Sequence, residues 1–173
     1  MNIVLIGYRC CGKTSVGKLT AAKLGREFID TDELIIEKAG CSIDKIVSNH
    51  GWDYFREIEK SIIKEVSSME NLVIATGGGV IINEENIDNL KNNSFIVWLY
   101  ADINTIKKRL HEDIKSADSR PSLTGDDPSD EIKNVLDQRE SLYRGASDIA
   151  VDTGQLNINE VADLIIEEAG KRK

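Results

Sequence analysis

The sequence predicts an α/β fold built around a parallel β-sheet. Short apolar runs alternate along the chain with segments whose apolar residues recur at a helical period, a pattern typical of strands joined by helices. The runs are almost continuous in Val, Ile, Leu and Phe, as expected for parallel strands that are buried on both faces. The 173 residues suit one domain with its own hydrophobic core.

Five runs are the predicted strands, with the sequences NIVLI, EFI, LVIA, FIVWL and DIAV. They cover residues 2–6, 27–29, 72–75, 95–99 and 148–151. Helical patterns fill the segments between them. Residues 13–24 carry Val16, Leu19 and Ala22 on one side. Residues 52–69 carry the clearest stripe of period 3.6, which consists of Phe55, Ile58, Ile62, Val66 and Met69.

Aspartates precede two later helices at positions that favour N-caps. Asp102 is the predicted cap of a helix over 103–110, and Asp130 is the predicted cap of a helix over 131–143. A last helix is predicted over 159–171.

Residues 111–129 stand apart, because they hold both prolines and almost no apolar residue. A loop of this length inside a compact domain is either disordered or a functional lid. Arg120 in this loop could close onto transferring phosphates, and Arg139 on the next helix could meet an anionic substrate. Solvated surface charges are the alternative for both arginines. His50 and His111 have no ligand-like partners in the sequence and are interpreted as surface residues.

Composition excludes some classes of function. The net charge is -8, with carboxylates spread along the chain and no basic stripe, which disfavours a nucleic-acid binder or a membrane-surface protein. No apolar run reaches the length of a membrane span, and no export signal is evident. Cys10, Cys11 and Cys41 form no CxxC and are odd in number, so we expect reduced thiols in a cytoplasmic protein. A monomer is the default expectation.

Residues 7–14, GYRCCGKT, match the phosphate-loop pattern G-x-x-x-x-G-K-[ST] and lie between a predicted strand and a predicted helix. Gly7 and Gly12 let the backbone curl until its N–H groups point at phosphate oxygens, and the helix start adds its positive end. Lys13 would meet the β- and γ-phosphates of ATP, and the Thr14 hydroxyl would ligate Mg²⁺. A glycine turn beside a surface lysine is the alternative.

Cys10 and Cys11 fill variable positions of this loop. The simple interpretation is that both are small and compatible with the loop. A helix N-terminus can lower the pKa of a thiol, so a second hypothesis is that oxidation here blocks nucleotide binding.

Two carboxylates, Asp30 and Asp32, follow the second predicted strand, at the sheet edge where open α/β folds bind ligands. One could hold Mg²⁺ or its waters, and the other could bind or deprotonate a hydroxyl acceptor. An ordinary helix N-cap by Asp32 is the alternative.

Arg56 and Glu59 lie three residues apart, so Arg56 could bind a substrate carboxylate while Glu59 holds it in place. A surface ion pair is the alternative. Gly77, Gly78 and Gly79 follow the third strand, where backbone amides could meet a ligand without side-chain obstruction. A flexible loop is the alternative for these glycines.

In series, several segments resemble the shikimate kinases, a family within the nucleoside-monophosphate-kinase-like P-loop proteins. The segments are GYRCCGKTSVGKLTAAKLG, FIDTDELI, GWDYFREIE, TGGGV, SRPSL and QRESLYR. The resemblance covers nearly the whole chain. It implies a three-layer α/β/α fold with a five-stranded parallel sheet of order 2-3-1-4-5, in a single domain over residues 1–173. It also implies a substrate-binding segment at about 32–60 and a mobile lid at about 111–129.

The activity implied by the resemblance is ATP-dependent phosphorylation of the shikimate 3-hydroxyl, in the pathway to aromatic amino acids. By motif match, the residues implied to contact shikimate are Asp32, Arg56, Gly78, Gly79 and Arg139. Those implied to contact ATP are Gly7, Cys10, Cys11, Gly12, Lys13, Thr14, Ser15, Arg109 and Arg120. The implied Mg²⁺ site consists of Thr14 and Asp30. The implied catalytic residues are Lys13, Asp32 and Arg120.

The chain departs from the family pattern in four respects, one of which is a rather long stretch between Arg109 and Arg120. The lid reads R-P-S-L where the family usually has R-P-L. The segment VDTGQLNINE lacks the basic residue that some members stack on adenine. Val47 stands where an aromatic residue often packs beside the substrate. These departures concern affinity rather than the type of reaction.

Two other interpretations stay open. A sibling kinase acting on gluconate or on a nucleotide is one, although two arginines aimed at a carboxylate fit a hydroxy acid better. A P-loop switch module whose NTPase drives a partner is the other. The guanine-reading string N-K-x-D is absent from the sequence, and the chain is short, so the second interpretation is disfavoured.

Overall fold

Five strands form one parallel sheet in the order β2-β3-β1-β4-β5. This computed structural model describes residues 1–112 and 128–172. The strands are β1 (Asn2–Ile6), β2 (Glu27–Asp30), β3 (Leu72–Ala75), β4 (Ser94–Tyr100) and β5 (Ile149–Asp152). All five predicted strands are confirmed within one residue at each end, and so is the implied sheet order. Burial on both faces holds for the central strands, whereas the edge strands β2 and β5 are partly exposed.

Within the described residues there are seven α-helices and a short 3₁₀-helix at Val80–Ile82, and all but the last α-helix lie between strands. The helices are α1 (Lys13–Leu24), α2 (Thr31–Ala39), α3 (Ile43–Ser67), α4 (Glu84–Lys91), α5 (Ile103–Glu112), α6 (Pro128–Ala146) and α7 (Ile158–Gly170). No helix in these two ranges is both long and apolar enough to cross a membrane.

Two hydrophobic clusters lie on opposite faces of the sheet. Ile3 and Leu5 of β1 enter the cluster that contains residues of α1, α5 and α7. Val4 and Ile6 enter the other cluster, which contains residues of α2, α3 and α4. The alternation follows from the two-residue period of a strand. The sheet therefore lies between two helical layers, as the resemblance implied, and α6 contributes to both clusters.

The buried side of α1 differs from the predicted one. Val16 is buried, but Leu19 is only partly buried and Ala22 is exposed. A Cβ atom at Gly17 would lie 2.4 Å from the Phe28 ring, so this glycine lets α1 pack directly onto the sheet. The buried face of the helix is consequently shifted, to Val16, Gly17, Thr20 and Ala21.

Several helix boundaries also correct the predictions. α3 begins well before residue 52, and Gly51 inside it has a φ of 83°, outside the helical range. The helices α2 and α4 were not predicted. Asp102 caps α5 as predicted, since its Oδ1 accepts the Thr105 N–H at 3.0 Å. The predicted cap at Asp130 is wrong, because α6 begins at Pro128, and proline is favoured in a first helical turn.

Candidate active site

The loop between β1 and α1 is held in a tight curl. Gly7 and Gly12 have φ values of 141° and 87°, a region that favours glycine. A Cβ atom at Gly7 would lie 2.2 Å from the carbonyl oxygen of Leu99, so β4 leaves room for glycine alone. The Lys13 Nζ donates to the carbonyl oxygens of Gly7 and Tyr8, at 2.8 Å each. The ammonium group is therefore drawn back across the loop.

Asp30 connects the phosphate loop to the second strand. Its Oδ2 accepts the Thr14 hydroxyl at 2.9 Å, and its Oδ1 accepts the Asp32 N–H at 3.0 Å. Asp30 is thus the N-cap of α2, so the alternative that made Asp32 the cap is wrong. Asp32 is 8% exposed, and its side chain lines the cleft beside the loop.

A cleft of about 530 Å³, including its open mouth, lies between the phosphate loop, α3, the glycine segment 77–79 and α6. Ile43 is the residue of segment 42–50 that lines it. Val47, which was expected there, packs instead against the hydrophobic cluster of α2, α3 and α4. The cleft brings together all five residues that the resemblance assigned to shikimate, which are Asp32, Arg56, Gly78, Gly79 and Arg139.

Arg56 is fixed from two sides. Its Nη1 donates to Glu59 Oε2 at 2.7 Å, and its guanidinium lies 5.1 Å from the centre of the Phe55 ring and 5.5 Å from that of Trp52. The Glu59 side chain is 1% exposed. The alternative of a surface ion pair is therefore wrong, and the pair is a buried support for a cleft arginine.

Two donors from α6 converge on the carbonyl oxygen of Gly78. Arg139 Nη1 donates to it at 3.3 Å, and the hydroxyl of the fully buried Tyr143 donates to it as well. Tyr143 also stacks on Trp98, with ring centres 5.8 Å apart. Sequence reasoning missed Tyr143, although it lies four residues after Arg139 and so on the same helical face.

Arg109 joins the phosphate loop to the segment after β5. Its Nη1 donates to the Cys10 carbonyl at 3.3 Å and to Thr153 Oγ1 at 2.9 Å, and its Nη2 donates to the Thr153 carbonyl at 2.6 Å. Ser15 is exposed on the first turn of α1. Arg120 and most of the expected lid lie outside the described residues.

A family model and several similar proteins identify the family of this chain. A family model described as shikimate kinase matches residues 9–169. This chain belongs to the shikimate kinase family. It is 45% identical over 167 residues to the shikimate kinase of Thermodesulfovibrio yellowstonii. The aligned region covers 96% of this chain and 94% of that protein. The shikimate kinase of Caldicellulosiruptor bescii is 44% identical over 165 residues, covering 95% and 93%.

A solved shikimate kinase structure has the same architecture. It comes from Acinetobacter baumannii, in complex with shikimate, and matches with a TM-score of 0.90 at 33% identity. The match covers 99% of this chain and 94% of that chain. Sequence and fold therefore agree on the shikimate kinase family over nearly the full length.

Cys11 of this shikimate kinase family member does not fit the hypothesis that oxidation of the loop blocks nucleotide binding. That hypothesis needs a lowered thiol pKa. Cys11 is 1% exposed, and burial raises the pKa of its thiol above the usual value. Cys10 is only partly buried and has a φ of 61°, so it occupies a turn position of the loop.

Replacing Gly79 with alanine should weaken shikimate binding without unfolding the protein. The new Cβ would lie 2.3 Å from Arg56 Nη2, and the flexible arginine tip would move, since the φ of Gly79 is -101° and suits any residue. A misplaced cleft arginine should raise the shikimate KM roughly tenfold. Steady-state kinetics and thermal unfolding measure both effects. Gly145→Ala is the control, because a Cβ there meets nothing within 4 Å; an unchanged KM in Gly79→Ala would contradict the expectation.

The buried Glu59 should make the stability of this shikimate kinase family member depend on pH. Burial raises the pKa of Glu59 above its ordinary value of 4.5, more than Arg56 lowers it. The folded state therefore binds this proton more tightly than the unfolded chain does. The resulting stabilisation is present below the ordinary pKa and is lost as pH rises through the raised one.

Glu59→Gln should abolish this loss. The free energy of unfolding of the variant, relative to that of the unmodified protein, should increase between about pH 4 and pH 7. Denaturant titrations across this range measure it. Glu57→Gln, an exposed change on the same helix, is the control. Parallel pH curves for the Glu59 variant and the unmodified protein would contradict the prediction.

Proposed function

We propose that this protein phosphorylates the 3-hydroxyl of shikimate with ATP, forming shikimate 3-phosphate and ADP. The observation that carries the proposal is the pair of arginines, Arg56 and Arg139, in a cleft that adjoins a phosphate loop. Arg139 donates to the neutral carbonyl of Gly78, and within the described residues it forms no ion pair with a carboxylate. An acidic substrate supplies the missing charge.

The acceptor's carboxylate would lie between these two guanidiniums, which bind carboxylates with directed N–H donors. Glu59 keeps the Arg56 guanidinium oriented. The other Glu59 oxygen, Oε1, is buried without a hydrogen-bond partner among the described residues, so it can accept from a bound ligand. Asp32 would hold the accepting hydroxyl, either orienting it or taking its proton.

The phosphates of the nucleotide would be bound by the phosphate loop, next to the acceptor cleft. Backbone N–H groups of the loop would bind its phosphates, and Lys13 would turn from the Gly7 and Tyr8 carbonyls to the phosphate oxygens. Thr14 Oγ1 and Asp30 Oδ2 are oxygen donors 2.9 Å apart, a set that suits Mg²⁺, which uses few protein oxygens beside phosphates. When bound, Mg²⁺ would neutralise charge on the β- and γ-phosphates. Arg109 would support the loop near adenine.

A panel of acceptors tests the proposal. ADP release with ATP and Mg²⁺ would be followed by a coupled assay with shikimate, gluconate and nucleoside monophosphates in turn. Release that depends on shikimate alone is the expected result. Release with gluconate or a nucleotide would favour a sibling kinase, and release without any acceptor would favour an NTPase module; either would overturn the proposal.

Other expectations from the sequence stay predictions. These are a monomeric state, a cytoplasmic location, a single domain over residues 1–173 with a substrate-binding segment at about 32–60, and a lid at about 111–129 that brings Arg120 to the phosphates. A closing lid would exclude water from the site and so limit ATP hydrolysis.

A further inference from the structure

A third arginine enters the acceptor cleft from the phosphate loop itself. Arg9 occupies a variable position of the loop, yet its side chain lines the cleft and is 15% exposed. Its Nη2 forms an ion pair with the Glu131 carboxylate of α6, and its Nε donates to the Tyr8 hydroxyl at 3.1 Å. The guanidinium also lies 5.4 Å from the centre of the Tyr8 ring.

This arrangement repeats that of Arg56. Each cleft arginine is bound to a glutamate that is almost fully buried, Glu131 at 3% exposure and Glu59 at 1%. Each guanidinium also packs on an aromatic ring. Burying an ion pair is costly and contributes little net stability. Orientation of the guanidinium is therefore the better explanation for both pairs, because the fixed fork keeps its other N–H donors directed at the cleft.

We propose that Arg9 is a further acceptor-binding residue and that Glu131 is the positioning residue that orients it. The inference rests on the proposed function. If Arg56 and Arg139 bind the carboxylate of a hydroxy acid, the hydroxyl-bearing edge of the acid must face the phosphate loop, from which the phosphoryl group arrives. Arg9 belongs to that loop, so its N–H groups meet the hydroxyls beside the accepting one.

The test is a cycle that combines protein variants with acceptor analogues. Arg9→Met and Arg9→Lys are assayed with shikimate and with analogues in which one non-reacting hydroxyl is replaced by hydrogen. A hydroxyl that contacts Arg9 should cost the unmodified protein about tenfold in kcat/KM when it is removed, in the range of one buried hydrogen bond. Arg9→Met should lose a similar factor in kcat/KM with shikimate. In this variant, removal of the same hydroxyl from the acceptor should cause little further loss.

Glu131→Gln separates a positioning role from a purely structural one. It should lower the ratio of kcat/KM for shikimate to kcat/KM for the same analogue. In the Arg9→Met background, Glu131→Gln should not change this ratio further. The control is the exposed pair of Arg144 and Glu140 on the same helix, whose side chains are 68% and 58% exposed. Arg144→Met and Glu140→Gln should leave the discrimination unchanged. Thermal unfolding identifies a variant that fails to fold, and Arg9→Lys, which keeps the charge but not the fork, then carries the test.

The two proposals fail in different ways. If the unmodified protein releases no ADP with shikimate, the proposed function is overturned, and the assignment of Arg9 with it. If shikimate is phosphorylated but the losses from Arg9→Met and from each analogue multiply independently, the assignment of Arg9 alone is overturned. A loss of discrimination in Arg9→Met but not in Glu131→Gln would overturn the role of Glu131.

Discussion

Lys13→Ala should lower kcat for shikimate phosphorylation by at least about a thousandfold. The ammonium group is the cation that α1 places beside the loop carbonyls of Gly7 and Tyr8. In the proposed site it would turn from these carbonyls to the phosphates. Without it, charge that develops on the transferring phosphoryl group would lose the side-chain cation that the phosphate loop supplies. The measurement is ADP release under saturating shikimate and ATP.

Shikimate binding provides the control for this variant. Trp52 lines the cleft, so its fluorescence can report on acceptor binding without turnover. Lys13→Ala should bind shikimate with nearly unchanged affinity and should unfold at a similar temperature. A variant that keeps more than about a tenth of the original kcat would contradict the role assigned to Lys13.

Arg56→Ala should raise the shikimate KM about a hundredfold while leaving the ATP KM nearly unchanged. In the proposed site, the alanine removes one of the two arginines that would bind the substrate carboxylate. It also leaves the buried Glu59 carboxyl without its cationic partner, which raises the pKa of that carboxyl further. Steady-state kinetics with each substrate varied in turn measure both constants.

The double variant Arg56→Ala, Glu59→Gln separates these two contributions. It should have a shikimate KM close to that of Arg56→Ala, since a buried Glu59 without its cationic partner takes up a proton and is as neutral as the amide. Arg144→Ala, which removes an exposed arginine, should leave both constants unchanged. A shikimate KM that does not rise in Arg56→Ala would remove Arg56 from the acceptor site.

Local patterns in the sequence predicted the sheet and the phosphate loop because both depend on short segments. Each strand is a continuous apolar run, and the loop pattern reflects backbone geometry that only glycine at Gly7 and Gly12 allows. Helix boundaries were harder to predict. Gly51 interrupts the helical pattern of α3 and concealed its first half, and α4 is short and polar.

Contacts between distant segments explain what the sequence could not show about the site. Arg9 and Glu131 are 122 positions apart, and a variable loop position gives no sign of the direction of its side chain. Tyr143 could have been found from its spacing with Arg139, but its partner, the Gly78 carbonyl, lies on another element. The buried state of Glu59 likewise depends on packing around α3 rather than on its spacing from Arg56.

The order of the strands has an evolutionary consequence. The proposed acceptor side of the cleft follows β2 and β3, through Asp32 and the glycine segment. Arg109 and Thr153 follow β4 and β5, on the far side of the phosphate loop. Mutations on one flank can therefore accumulate with little disturbance of the other. Acceptor specificity could therefore change during evolution while the nucleotide-binding residues stay the same. Such a change would also require substitutions in α6, because Arg139 of this helix contacts Gly78.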